Sequence, residues 1–147
     1  MKISKMETAQ KTTGTQNFFR ILLGLMMMVA GSGHLSFARV EFQAQVPDWV
    51  PMDKDLVVLL SGVVEILLGV SLITIKKYRA QFGVFLAIFY IMIFPGNIAQ
   101  YLNSRDAFGL DTDMLRFIRL LFQPVLVIWA LWSSGGMDYL VNRKNLL

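Results

Sequence analysis

Apolar positions gather into four long runs along this chain, at residues 18–37, 56–75, 80–102 and 115–134, with short polar stretches between them. Each run is close to the ~20 residues an α-helix needs to cross the hydrocarbon core of a bilayer. The pattern predicts an all-α fold, a four-transmembrane-helix bundle over residues 17–135. Residues 1–16 are polar and rich in Thr and Lys, which reads as a mobile N-terminal tail, and residues 136–147 read as a C-terminal tail. The connections are a loop containing "VPDWVP", a short "KKYR" and a hydrophilic "NSRDAFGLDTD". Asp53 or Asp55 suits the N-cap of the second span, and Asp111 or Asp113 that of the fourth. The first run follows a basic start, and Ser36-Phe37-Ala38 resembles a small-x-small cleavage site. The polar region before it is long for a signal peptide and the apolar run generous, so it reads as a retained span.

Positive charge adds an orientation. Lys2, Lys5, Lys11, Lys76, Lys77, Arg79, Arg143 and Lys144 fall on one side of the four spans. Arg39, Lys54 and Arg105 fall on the other, with Arg116 at its edge. The excess predicts both termini in the cytoplasm and a multi-pass protein of the plasma (inner) membrane. Trp49, Tyr78, Tyr101 and Tyr139 come near the expected interfaces, where an aromatic belt sits.

Composition agrees and removes several functions. The chain is 55% hydrophobic and 16% charged, against about 45–50% and about 25% in a soluble domain. Its net charge of +4 would suit nucleic acid, but the basic residues lie between the apolar runs, so topology accounts for them and no nucleic-acid partner is expected. Cysteine is absent, which removes disulfides, thiol catalysis and cysteine-ligated iron–sulfur clusters from this chain. The single histidine, His34, removes a bis-histidine haem held by one copy. No Walker sequence, His-x-x-x-His pair or serine-hydrolase elbow occurs, so no metal site is expected, and no cofactor held by this chain's own residues.

The candidate chemistry lies inside the spans. At about 1.5 Å rise per residue, Glu65 falls near the midplane and Gln123 close to it, while His34, Asn97 and Arg119 lie about 8–9 Å toward the outer side. Every span thus contributes a polar side chain to one half of the membrane. Ser61, Gly62 and Gly69 share the face of Glu65, and Gly24, Gly31 and Ala38 recur every seventh residue near His34. Such small-residue stripes let helix backbones approach, so Glu65 and His34 are expected to face the bundle interior. A charge at a helix centre costs about 2.5–3.5 kcal/mol on insertion scales, so Glu65 should be neutral or paired. Arg119 is the first expected partner and His34 the second. Pro95 and Pro124 free the carbonyls of Ile91 and Leu120, so "FPGN" reads as a kink opening a polar pocket. Plainer roles stay open: Asn97 and Gln123 as interhelical glue, and Arg119 as a snorkel to the headgroups.

Taken in order, "RILLGLMMMVAGSGHL", "VPDWVP", "SGVVEILLGV" and "FPGNIAQYL" resemble the DoxX-like family of small four-helix membrane proteins, clearly over residues 20–102 and more loosely in the fourth helix. The resemblance implies a four-helix membrane bundle with recurring positions at His34, Pro47, Trp49, Pro51, Glu65, Pro95 and Asn97. It brings no agreed catalytic assignment, although the family takes its name from a small membrane subunit of a thiosulfate:quinone oxidoreductase. The expected function is a membrane subunit or binding module, not a catalyst on its own, whose outer-half pocket takes a quinone or another small amphipathic ligand. Its expected partners are the bilayer, a membrane or redox subunit, and further copies of itself. The competing readings are a small proton-coupled transporter working through Glu65, and an assembly or scaffold protein with Glu65–Arg119 as a structural pair.

Overall fold

The computed structural model describes residues 11–144. Among them all regular structure is helical. The α-helices are α1 (Gly14–Leu35), α2 (Arg39–Phe42), α3 (Lys54–Thr74), α4 (Arg79–Leu102), α5 (Asp113–Ser134) and α6 (Gly136–Lys144). Single 3-10 turns at Gln43–Gln45 and Lys76–Tyr78 join them. Four of the helices, α1, α3, α4 and α5, are long and apolar enough to cross a membrane, as the four runs predict. Their outward faces carry exposed Leu25, Val29, Leu67, Ile88, Met92, Leu121 and Ile128. So broad an apolar exterior suits lipid rather than water.

Helix boundaries depart from the expected ones at their caps. The first helix starts at Gly14, inside the expected tail. Thr13 accepts from the Gln16 backbone N–H at 3.1 Å and the Gln16 side chain accepts from the Thr13 N–H at 2.9 Å, a complete capping box. The rest of that expected tail, residues 1–10, lies outside the described residues. The helix ends at Leu35, so Ala38 falls outside it. Asp53 caps α3 as expected, accepting from Leu56 N–H at 3.1 Å. On α5 the cap is Thr112, accepting from Leu115 N–H at 3.2 Å, and neither Asp111 nor Asp113 takes that place. Asp113 instead pairs with Arg116 one turn on, at 2.7 Å. The C-terminal tail begins as a helix, α6, set off by Gly135 in the left-handed region at φ 79°. Residues 145–147 of it lie outside the described residues.

The long helices pack as two antiparallel pairs, α1 with α3 and α4 with α5, and the pairs meet more lightly. The α1–α3 seam is the glycine stripe made physical. A Cβ on Gly62 would lie 2.6 Å from His34 Cβ and 2.9 Å from the Gly31 carbonyl; one on Gly69 would lie 2.7 Å from the Gly24 carbonyl. Only hydrogen fits between backbones this close. Buried Leu23, Met27, Leu72, Leu86, Ala87, Tyr90, Leu126 and Ala130 fill the centre where the two pairs meet.

The 36–53 connection does not stand away from the bundle. Its helix α2 and following turn fold over one end, and the Gln45 carbonyl rests where a Cβ on Gly96 would be, 2.0 Å from it. The glycine of "FPGN" therefore seats the connection on α4. Helix α4 continues through Pro95, and α5 through Pro124.

Candidate functional site: a polar cavity between the helix pairs

Between the pairs, beneath the folded connection, lies a cavity of ≈270 Å³. His34, Glu65, Arg119, Gln123, Ser61, Tyr90 and Pro95 line it from the long helices, and Phe42, Gln45, Pro47 and Trp49 from the connection. Four of the five polar residues singled out in the spans thus meet at one cavity, together with the proline of α4. Asn97 does not line it. That side chain is buried behind Gln123, donating from Nδ2 to Gln123 Oε1 at 3.0 Å.

Glu65 is 5% exposed and His34 7%. Their closest approach, His34 Nε2 to Glu65 Oε1, is 3.6 Å, an ion-pair distance too long for a direct hydrogen bond. This reverses the expected order of partners. Among the described residues Glu65 pairs with His34, while Arg119 donates from Nη1 to Gln123 Oε1 at 3.2 Å. The glycine seam is the cause, because it draws α1 onto α3 and sets His34 against the Val58–Glu65 stretch.

His34 is also oriented. Its Nδ1 lies 3.2 Å from the Val58 carbonyl and 2.8 Å from Ser61 Oγ, and the Ser61 hydroxyl donates to that same carbonyl at 2.9 Å. With Nδ1 as the donor to these oxygens, Nε2 is the nitrogen left to face Glu65. Two arrangements then leave the pair neutral overall: a neutral imidazole facing a carboxylic acid, or an imidazolium facing a carboxylate. In both, one exchangeable proton belongs to the pair. Glu65 Oε2 is buried with no hydrogen-bond partner among the described residues, and Asn97 Oδ1 is in the same condition. A buried carboxyl oxygen without a partner is costly, and this one belongs to a residue that lines the cavity.

Gln123 is the node that holds the far wall. Its Oε1 accepts from Asn97 and Arg119, and its Nε2 donates to the Tyr90 carbonyl at 2.8 Å. The carbonyl served is one residue before Ile91, whose bond Pro95 removes. Tyr90 is buried, and its hydroxyl donates to Met27 Sδ at 2.8 Å, joining α4 to α1.

Polar ties fasten the connection over the cavity. Arg105 donates to the carbonyls of Ala44 at 3.2 Å and Val46 at 2.9 Å, and to Asp48 at 2.6 Å. Lys54 reaches Asp48 at 2.6 Å, Gln45 donates to Gln100 at 3.1 Å, and Arg39 pairs with Asp55. The Lys54 hydrogen bond and the charge of Arg105 hold the Asp48 carboxyl below its ordinary range. The Phe42 ring lies tilted against that of His34, their centroids 3.5 Å apart and their planes at 41°, over the His34–Glu65 pair.

The sequence reading missed several of these groups. Arg20 is 2% exposed, and its Nη1 donates to the Leu72 carbonyl and, at 3.3 Å, to that of Ile73, capping the last turn of α3. The signal was present: a cation one turn inside an apolar run needs a buried acceptor. Gln100 and Arg116 are buried at the connection side, where Arg116 pairs with Asp106 and Asp113. Among the described residues no cluster of acidic or histidine side chains could hold a metal ion.

The family model described as "Domain of unknown function (DUF8561)" matches residues 23–134. The chain belongs to this family. The DUF8561 segment runs from the middle of α1 to the end of α5 and contains every long-helix residue of the cavity wall, while Arg20 lies just before it. Among curated proteins and solved structures, none matches the chain.

Proposed function

We propose that this DUF8561 protein is a DoxX-like membrane subunit that binds a small amphipathic ligand, a quinone headgroup being the chemistry that suits it best, in the cavity between its helix pairs. The observation that carries this reading is that Glu65, whose Oε2 is buried without a hydrogen-bond partner among the described residues, lines a cavity together with His34, Arg119 and Gln123. A quinone oxygen accepts hydrogen bonds and takes up protons on reduction. Arg119 has N–H donors beyond the one given to Gln123, and in either neutral arrangement the Glu65–His34 pair carries an exchangeable proton beside them. The role is binding and proton supply; electrons belong to a partner subunit of the same membrane. Catalysis by this chain alone is not part of the reading.

The same proposal sets both termini in the cytoplasm and the protein in the plasma membrane, on the distribution of Lys and Arg. The cavity then opens toward the outer half of the bilayer. Reporter fusions at the C-terminus, active only in one compartment, check the orientation.

The decisive experiment is purification in native lipid particles followed by organic extraction, for the wild type and for Glu65→Gln. A quinone or other amphiphile that co-purifies with the wild type and is depleted in the variant supports the proposal. No co-purifying ligand, together with no cellular phenotype for Glu65→Gln, overturns it.

A further inference from the structure

Arg119 and Phe122 belong to two concavities at once. On one side they line the polar cavity; on the other they line an open groove of ≈450 Å³ on the outer face of α5, with Leu115, Ile118, Leu121 and Val125. The cavity alone, at ≈270 Å³, falls below the roughly 300–1,000 Å³ of pockets that enclose a whole drug-sized molecule. It has room for a headgroup and little for a chain. The groove is the reverse: apolar apart from Arg119, and turned outward, with Ile118 55% and Leu121 54% exposed.

We infer that the two concavities are one bipartite site for a tailed, membrane-resident amphiphile: its polar head lies against Glu65, and its chain leaves past Arg119 and Phe122 along the outer face of α5. This rests on the cavity being a ligand site, as proposed above. It adds the route, which is lateral from the lipid rather than through the fastened connection, and the class, a single-chain amphiphile rather than a water-soluble molecule. Arg119 stands where the head meets the chain, and long basic side chains settle at such polar–apolar borders. The groove need not attract the chain. Lipid tails are as apolar as a leucine surface, so a chain gains little by moving from one to the other. Its role is steric: the head enters the cavity only if the chain has somewhere to go.

That steric role makes the test sharp. The chain contains no cysteine, so Ile118→Cys gives a single thiol in the groove wall. The full-length variant in lipid nanodiscs is capped either with a methyl group or with a bulky benzyl maleimide. It is then titrated with duroquinone and with the homologue in which a decyl chain replaces one methyl. Saturable quenching of Trp49, a cavity-wall residue, is the readout, with Trp49→Phe as the reference for the other tryptophans. The expected result is that both probes bind the methyl-capped protein, and that the bulky cap abolishes binding of the decyl probe while duroquinone still binds. Decyl binding unaffected by the bulky cap overturns the tail route, as does binding of duroquinone alone to the methyl-capped protein; both results leave the cavity reading standing. Failure of both probes on methyl-capped protein overturns the cavity reading and the route with it. Leu121→Cys, on the same wall, gives the same test should Ile118→Cys not fold.

Discussion

Replacing Gly62 with alanine sets a methyl group into the α1–α3 seam, 2.6 Å from His34 Cβ and 2.9 Å from the Gly31 carbonyl oxygen, where ordinary contact begins at 3.4 Å. Neither neighbour is the far end of a flexible side chain, so relief requires the two helices to part. Overpacking of this kind costs about 1–3 kcal/mol, and every 1.4 kcal/mol is about tenfold in an equilibrium constant. Parting also moves His34 away from Ser61 and Val58, which fix the ring through Nδ1. The variant is therefore expected to lose both stability and the geometry of the cavity. Equilibrium unfolding in mixed micelles, titrated with a denaturing detergent, measures the first, and Trp49 quenching by a bound probe measures the second. Gly14→Ala is the control, because a Cβ there meets nothing within 4 Å, and alanine is the better helix former by about 1 kcal/mol. Because alanine also raises helix propensity inside α3, the comparison is with the control: if Gly62→Ala is less stable than Gly14→Ala by no more than ~0.5 kcal/mol, the range of an inconsequential surface change, the seam is not packed as described.

Arg20→Met keeps the length of the side chain and removes the donors to the Leu72 and Ile73 carbonyls, so a loss of about 1–3 kcal/mol is expected in the same unfolding assay; wild-type stability would mean those carbonyls are served in another way. Asp48 gives a pH dependence. Its pKa is held down in the folded protein by Lys54 and Arg105, so the fastening is complete above the ordinary carboxylate value of about 3.9 and is lost as pH falls through the lower folded value. Protease cutting at the 46–50 stretch should therefore rise on acidification below about pH 4, using an acid-active protease, and Asp48→Asn should show the raised cutting already at neutral pH. Equal cutting of wild type and Asp48→Asn at neutral pH would remove Asp48 from the fastening.

The four spans were legible because bilayer thickness fixes how long an apolar run must be, and that length is written locally in the chain. The glycines of α1 and α3 were legible for a related reason: small residues at helical spacing mark a face before the partner is known. Spacing and depth also brought Glu65, His34, Arg119 and Gln123 toward one place. What lay beyond the sequence was which neighbour each group meets. The closeness of one helix pair decided that Glu65 answers to His34 and not to Arg119. The Asn97–Gln123–Tyr90 chain, the seating of Gln45 on Gly96, and the place of Arg119 and Phe122 on the lining of both cavity and groove depend on side chains far apart in sequence. A hydrophobic run reports its own length and face; the distance between two faces is set by everything packed between them, and only the folded bundle holds that information.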